Sequence, residues 1–215
     1  MHPQFDYIFE LFTLLISLAV AEMLMGFSRI LKLRARRKAG VDPTAIEVKV
    51  GWLVPLLGLL VLVDLGTFWS IIWSMRGVLD MQMATIFGVL VLIGGYYLIA
   101  TLVFPDEPEL WPDFDAYFWQ QKRLVVIGML LINLATAIAS FALGAQTQEQ
   151  GELMAQAAQS NHMFALAMLM LTVNYPAFLW LAFTKGKRRS LLLMGFIIST
   201  QLLFAVTSWG IEGIL

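Results

Sequence analysis

The 215-residue sequence contains no cysteine, so disulfides, thiolate nucleophiles and zinc–thiolate sites are excluded. Charged side chains are also scarce: they make up 13% of the residues, whereas soluble domains carry about 25%. The formal net charge is −1, so the chain lacks the basic excess that is typical of nucleic-acid-binding proteins. No nucleic-acid partner is therefore expected.

Catalytic and cofactor motifs are missing as well. The sequence has no HExxH, GxSxG, Walker or GxGxxG pattern. Its two histidines, His2 and His162, fall at the edges of hydrophobic runs, which disfavours a bis-histidine haem. The methionines near them have no repeated spacing that would indicate a copper site. We therefore predict neither an enzyme nor a bound cofactor or metal.

Hydrophobic residues, in contrast, make up 60% of the chain and occur in six long runs. About 20 apolar residues in a helix cross the roughly 30 Å hydrocarbon core, and a helix satisfies its own backbone hydrogen bonds in lipid. The first run is too long for a cleavable signal and has no basic segment before it. The sequence predicts an all-α, single-domain polytopic membrane protein whose six transmembrane helices cover residues 7–31, 51–74, 84–104, 124–144, 163–184 and 191–209.

Basic residues determine the predicted orientation. The loops containing "KLRARRKAG" (32–40), "QQKR" (120–123) and "KGKRR" (185–189), with their flanks, hold all but one of the 14 Lys and Arg residues. These loops alternate along the chain, so they lie on one side of the membrane, and the positive-inside rule makes that side the cytoplasm. We therefore predict a multi-pass protein of the bacterial inner (plasma) membrane with both termini outside, in the periplasm.

Two loops have unusual compositions. Segment 104–123 begins acidic and ends aromatic, which predicts a short interfacial helix after Pro112 on the cytoplasmic side. The alternative is that this segment docks a protein partner. The outer loop 146–161 is polar and rich in good helix formers, so we expect it to extend spans four and five beyond the bilayer.

Three stretches carry a resemblance to a known group of proteins: "FDYIFELFTLLISLAVAEMLMGFSRIL", "FWSIIWSMR" and "LVFPDEPELWPDFDAYFWQQKR". On these stretches, which lie in the first two thirds of the chain, it resembles a group of small uncharacterised bacterial inner-membrane proteins. That group has no established function, so the resemblance implies a membrane location and no site residue.

Two carboxylates lie inside predicted spans. Asp64 is near the middle of span two, in "VLVDLGTFW", and Glu22 is in span one. A charge at mid-bilayer costs about 2.5–3.5 kcal/mol on insertion scales. Each group should therefore face the bundle interior, find a partner or hold a proton. For Glu22 an ion pair with Arg29 is an alternative, because the two residues share a helical face.

Other spans carry polar residues that could line a site together with these carboxylates: Asn133, Asn174 and Gln201. The alternative is that they only join helices, as amide and hydroxyl side chains commonly do in membranes. Gly66, Ser70 and Ser74 are spaced by four, a small-residue pattern that favours helix contact and predicts a homo-oligomer.

The two halves of the chain could form an inverted repeat. Each half has three spans, and the halves insert in opposite orientations. The middle span of each half is predicted to be interrupted near its centre, at "VDLG" (63–66) and "VNYP" (173–176). Paired interruptions of this kind favour a binding site at the bilayer midplane.

The sequence thus predicts an integral membrane protein that forms a pathway for a small solute or ion. In this interpretation Asp64 is the protonatable group that could couple the pathway to protons, and Glu22 is a second acidic site. The alternative function is a non-catalytic accessory, sensor or scaffold subunit of a membrane complex. A polar cavity that reaches Asp64 would favour the first function, and a dry, fully packed core the second.

Overall fold

The computed structural model describes residues 3–40, 48–74, 82–142 and 158–208, together with residues 152, 155 and 156. Within these residues the chain forms six long helices: α1 (Pro3–Ala39), α2 (Leu53–Ser74), α3 (Met83–Val103), α4 (Phe114–Ala142), α5 (His162–Phe183) and α6 (Lys187–Ser208). All six are long and apolar enough to cross a membrane, which is the architecture of a multi-pass integral membrane protein. The predicted all-α, six-span fold is confirmed. Most of the predicted outer loop 146–161 lies outside the described residues.

Helix α2 lies at the centre of the bundle. It packs against α1, α3, α4 and α6, and it is the most buried of the six spans. An apolar helix surrounded in this way has no face left for charged groups that need water. Asp64 lies near the midpoint of α2. Because four helices surround α2, side chains from several of them can reach Asp64.

The predicted interruptions of spans two and five are wrong. Helix α2 continues through Asp64 and Gly66, and α5 continues through Asn174 and Pro176. A single glycine costs a helix only about 1 kcal/mol, and a proline removes one backbone donor without ending the helix. The halves also pack differently, because α1 packs extensively against α3, whereas the corresponding pair in the second half, α4 and α6, makes few contacts at most. The inverted repeat therefore lacks the matching packing that it requires.

Segment 104–123 also differs from its prediction. A short 3-10 helix, Pro108–Leu110, precedes α4, which begins at Phe114 and continues unbroken to Ala142. The residues after Pro112 are thus the first turns of a span and not a separate interfacial helix. Their aromatic rings pack inside the bundle, where Phe114 and Phe118 are fully buried. The physical reason is length: 29 helical residues extend beyond the hydrocarbon core, so the first turns of α4 can pack against neighbouring elements.

The three basic loops meet at one end of the bundle. The backbone N–H of Lys49 donates to the carbonyl of Pro112 at 2.8 Å, and the N–H of Phe114 donates to the carbonyl of Lys49 at 3.1 Å. Lys187, at the start of α6, forms an ion pair with Asp115. These contacts join the connections after α1, α3 and α5, as their shared basic character predicts. That this end is cytoplasmic stays a prediction.

Glycines have two different roles in the packing. A Cβ at Gly26 would lie 2.1 Å from Cδ2 of Phe104, and a Cβ at Gly58 would lie 2.5 Å from Cζ of the same ring. Phe104 therefore fills a slot between α1 and α2 that only glycine leaves open. Gly66, in contrast, is exposed, and a Cβ added there would meet no heavy atom within 4 Å. Its small surface is not used for packing within this chain, and the homo-oligomer stays a prediction.

Candidate functional site: a buried carboxylate and its cavity

Asp64 is 1% exposed and accepts hydrogen bonds from three other helices. The hydroxyl of Tyr96 on α3 donates to Oδ2 at 2.6 Å, and Nε2 of Gln201 on α6 donates to Oδ1 at 2.7 Å. Nδ2 of Asn133 on α4 lies 3.2 Å from Oδ1 and 3.0 Å from Oδ2. Both carboxylate oxygens are therefore bonded, and the contacts tie the centre of α2 to α3, α4 and α6.

None of the three partners carries a positive charge. Arg29 and Lys187 form ion pairs with other carboxylates, and neither contacts Asp64. Neutral donors stabilise a carboxylate by hydrogen bonding but do not neutralise it. Such a site suits a carboxylate that is neutralised by a positive charge that binds and leaves, either a proton or another cation.

Asp64 lines a cavity of about 70 Å³ between α2, α4, α5 and α6. A cavity needs roughly 10–15 Å³ to hold one water molecule, so this one has room for a small ion or a few waters. The lining consists of Asp64, Thr67, Ile71, Asn133, Leu171, Asn174, Tyr175, Phe178 and Gln201.

Two buried side-chain atoms at this cavity have no hydrogen-bond partner: Nδ2 of Asn174 and Oε1 of Gln201. Both residues are less than 5% exposed. Leaving a buried polar atom unpaired costs about 1–3 kcal/mol, so such atoms are rare unless something binds them. The side-chain oxygen of Asn174, in contrast, contacts the hydroxyl of Thr200 at 2.9 Å.

The structure brings together four of the five site residues that the sequence indicated. Asp64, Asn133, Asn174 and Gln201 come from four different helices, and all of them line the same cavity. Separations of up to 137 positions along the chain are closed to hydrogen-bond distance. Only the packing of α2 between α4 and α6 makes this possible.

Glu22 does not belong to this site. It lies outside the lining of the cavity and forms an ion pair with Arg29 at 3.4 Å. Arg29 in turn lies 3.4 Å from Asp106, in the connection after α3. The ion pair is the alternative that the sequence left open. The prediction of Glu22 as a second acidic site is thus corrected, because its charge is already compensated elsewhere.

The sequence interpretation missed three hydroxyl-bearing residues of the site. Tyr96 makes the shortest bond to Asp64, and Thr67 and Tyr175 line the cavity. Thr67 lies three residues after Asp64 and so shares its helical face, a spacing that could have been noticed. Tyr96 had a weaker signal, because tyrosine in a span is more often an interfacial anchor than a buried donor.

No protein-family model, curated protein or solved structure matches the chain. The functional assignment therefore depends on the geometry of the cavity, and the resemblance to small bacterial inner-membrane proteins stays a prediction.

Proposed function

We propose that the protein forms a pathway across the membrane for a small monovalent cation, the proton included, and that Asp64 is the group that binds it. One observation supports this above all: a carboxylate is buried at mid-span beside a cavity that several polar side chains help to line, and it accepts hydrogen bonds from three neutral groups. Helix packing alone does not require such a group, since its burial costs free energy.

The charge of the lining favours a monovalent cation. Among the described residues that line the cavity, Asp64 is the only one with a formal charge. One bound monovalent cation neutralises it. A divalent cation would leave an excess positive charge in a low-dielectric environment, and an anion would add a second negative charge.

The size of the cavity favours an ion over an organic solute. Pockets that enclose organic ligands usually have volumes of about 300–1,000 Å³. The Asp64 cavity, at about 70 Å³, is several times smaller. Of the two substrate classes that the sequence left open, we therefore propose the ion.

The hydrogen bonds of Thr200 indicate which atoms of the cavity would meet this ion. Its hydroxyl lies 2.9 Å from Oδ1 of Asn174 and 2.8 Å from the carbonyl of Ile197, but it has only one proton to donate. If the Thr200 hydroxyl donates to the carbonyl of Ile197, it can only accept a hydrogen bond from Asn174. The amide of Asn174 then fits better rotated by 180°, so that its nitrogen donates to Thr200. In that orientation the unpaired atom of Asn174 is its oxygen. The unpaired atoms at the cavity become two amide oxygens beside a carboxylate, a set of acceptors suited to a cation or to a donor such as hydronium.

Helix α5 supplies an element that can move. Pro176 has no backbone N–H, so it leaves the carbonyl one turn earlier without its helical donor, within the turn that carries Asn174 and Tyr175. Kinks and hinges in helices concentrate at such positions. We expect α5 to open and close the route between the cavity and the two sides of the membrane.

The experiment is an ion-flux measurement in proteoliposomes with wild-type protein and the Asp64→Asn variant. We expect a proton or alkali-cation flux in the wild type and its loss, by at least about tenfold, in the variant, because the asparagine cannot neutralise a cation. The Glu22→Gln variant is the matched control, since it removes a carboxylate outside the cavity and should keep the flux. Flux that survives Asp64→Asn in folded protein would contradict the proposal.

The accessory-subunit alternative was predicted to use two contact surfaces, segment 104–123 and the outer loop 146–161. In the first, Phe114 and Phe118 are fully buried within this chain and so cannot contact a partner. The second lies mostly outside the described residues. Liposomes that carry folded wild-type protein and show no cation flux would favour this alternative. Truncation of the segment is then the wrong test, because it would remove part of the core.

A further inference from the structure

A second cavity, of about 490 Å³, lies between the start of α4 and the end of α5, at the end of the bundle where the basic loops meet. It shares no lining residue with the Asp64 cavity. Among the described residues that line it, none is acidic and three are cationic: Lys122, Arg123 and Lys185.

No carboxylate pairs with these three cations within the part of the chain that the structure describes. Lys122 is 4% exposed, and its ammonium donates to the carbonyl of Thr184 and lies 4.6 Å from the centre of the Trp119 ring. An ammonium group has three protons, so the bond to Thr184 leaves two available. Three neighbouring positive charges without a counter-charge repel one another, and a bound anion would remove that repulsion.

Part of this arrangement has a structural role. Lys122 binds a carbonyl at the C-terminal end of α5, where helical carbonyls lack partners and a positive charge is favourable. That role does not explain Arg123 and Lys185, whose side chains are exposed. The guanidinium of Arg123 lies 5.0 Å from the centre of the Phe183 ring, beside the same cavity.

An apolar surface adjoins the cationic residues. Leu179, Trp180 and Phe183 on α5 are exposed, with Trp180 at 62%. In a membrane, apolar residues exposed on a span face acyl chains, whereas cations at a helix end lie at the depth of the headgroups. The cavity and its flank therefore complement a molecule with an anionic head and apolar tails.

We propose that this cavity binds the phosphate-bearing headgroup of an anionic phospholipid, with the acyl chains along the exposed face of α5. Basic pockets between helices on the cytoplasmic side bind such headgroups in other membrane proteins, and this end of the bundle is the one predicted to be cytoplasmic. The bound phosphate would contact Arg123 and Lys185 directly and Lys122 from within. This site is independent of the proposed cation pathway, and it can be tested without measuring flux.

The test is a lipid titration of purified full-length protein in detergent, followed by native mass spectrometry. The variant carries Arg123→Gln and Lys185→Gln, and the matched control carries Arg188→Gln and Arg189→Gln, two exposed cations of the same end that do not line the cavity. We expect wild type and control to bind phosphatidylglycerol more tightly than phosphatidylcholine. The variant should bind phosphatidylglycerol about tenfold more weakly, with phosphatidylcholine binding unchanged.

Three results would overturn the proposal. The first is equal binding of phosphatidylglycerol and phosphatidylcholine by the wild type. The second is an equal loss in variant and control, which would indicate general surface attraction. The third is displacement of the lipid by millimolar inorganic phosphate, which would indicate a site for a free anion. Thermal unfolding without added lipid shows whether the variant is folded, and all its substituted side chains are exposed.

Discussion

The side-chain amide of Gln201 donates to Asp64 across 2.7 Å, although 137 positions separate the two residues. The same amide presents a carbonyl oxygen that has no partner. Gln201 thus satisfies one side of the carboxylate and leaves an acceptor at the cavity. This double role connects the stability of the bundle to the binding of a cation, and the predictions below separate the two.

Replacing Tyr96 with phenylalanine removes the 2.6 Å hydrogen bond to Asp64 and little else. Hydrogen bonds to charged groups contribute about 1.5–3 kcal/mol, so we expect the free energy of unfolding in detergent to fall by about 2 kcal/mol. The adjacent Tyr97→Phe is the control, since Tyr97 is partly exposed and is not bonded to Asp64. In an Asp64→Asn background the cost of Tyr96→Phe should shrink. Equal losses of unfolding free energy in the two tyrosine variants would show that the hydrogen bond from Tyr96 to Asp64 does not contribute to stability.

Replacing Thr200 with valine keeps the shape of the side chain but removes the hydroxyl that holds Asn174. The amide of Asn174 then loses its orientation, and we expect cation-dependent thermal stabilisation to weaken by about tenfold in apparent affinity. Thr200→Ser keeps the hydroxyl and should behave like the wild type. Unchanged cation affinity in the valine variant would show that Asn174 does not take part in cation binding.

Replacing Asn174 with aspartate adds a second carboxylate to the cavity with almost no change in volume. Two negative charges are better neutralised by a divalent cation than by a monovalent one, so millimolar Ca²⁺ should stabilise this variant and not the wild type. Asn161→Asp makes the same chemical change at the N-cap of α5, outside the cavity lining, and is the control. Stabilisation of the wild type by Ca²⁺ in a thermal-shift assay would contradict the monovalent assignment.

Replacing Gly58 with alanine forces a methyl group to within 2.5 Å of the Phe104 ring. Overpacking of this kind costs about 1–3 kcal/mol, which a lower unfolding midpoint in detergent would report. Gly88→Ala is the matched control in α3, because its new Cβ would meet nothing within 4 Å. Adding Phe104→Leu should restore part of the stability lost in Gly58→Ala. If the two alanine variants have the same unfolding midpoint, the Phe104 ring does not require a glycine at position 58.

The sequence alone was sufficient for the number and approximate position of the helices. Six hydrophobic runs long enough to span a bilayer leave the backbone no other way to satisfy its hydrogen bonds in lipid. The ends of the helices were less well predicted, because α1 and α4 continue through basic and aromatic residues that composition alone assigns to loops. Helices lengthen where tertiary contacts support them, as at Tyr117, whose hydroxyl donates to the carbonyl of Leu102.

Sequence also indicated that Asp64 must meet polar groups, because a carboxylate in a span is costly without them. It could not decide which carboxylate would do so. The sequence offered Arg29 as an alternative partner for Glu22, because the two share a helical face, but only the structure shows that this pair forms. Only the tertiary structure places Asp64 among neutral donors from other helices. It likewise took the packing of α2 against α3, α4 and α6 to make Tyr96 a partner and to leave a cavity at Asn174. The physical reason is that hydrophobicity acts on each span separately, whereas the partners of a buried charge depend on which helix faces meet.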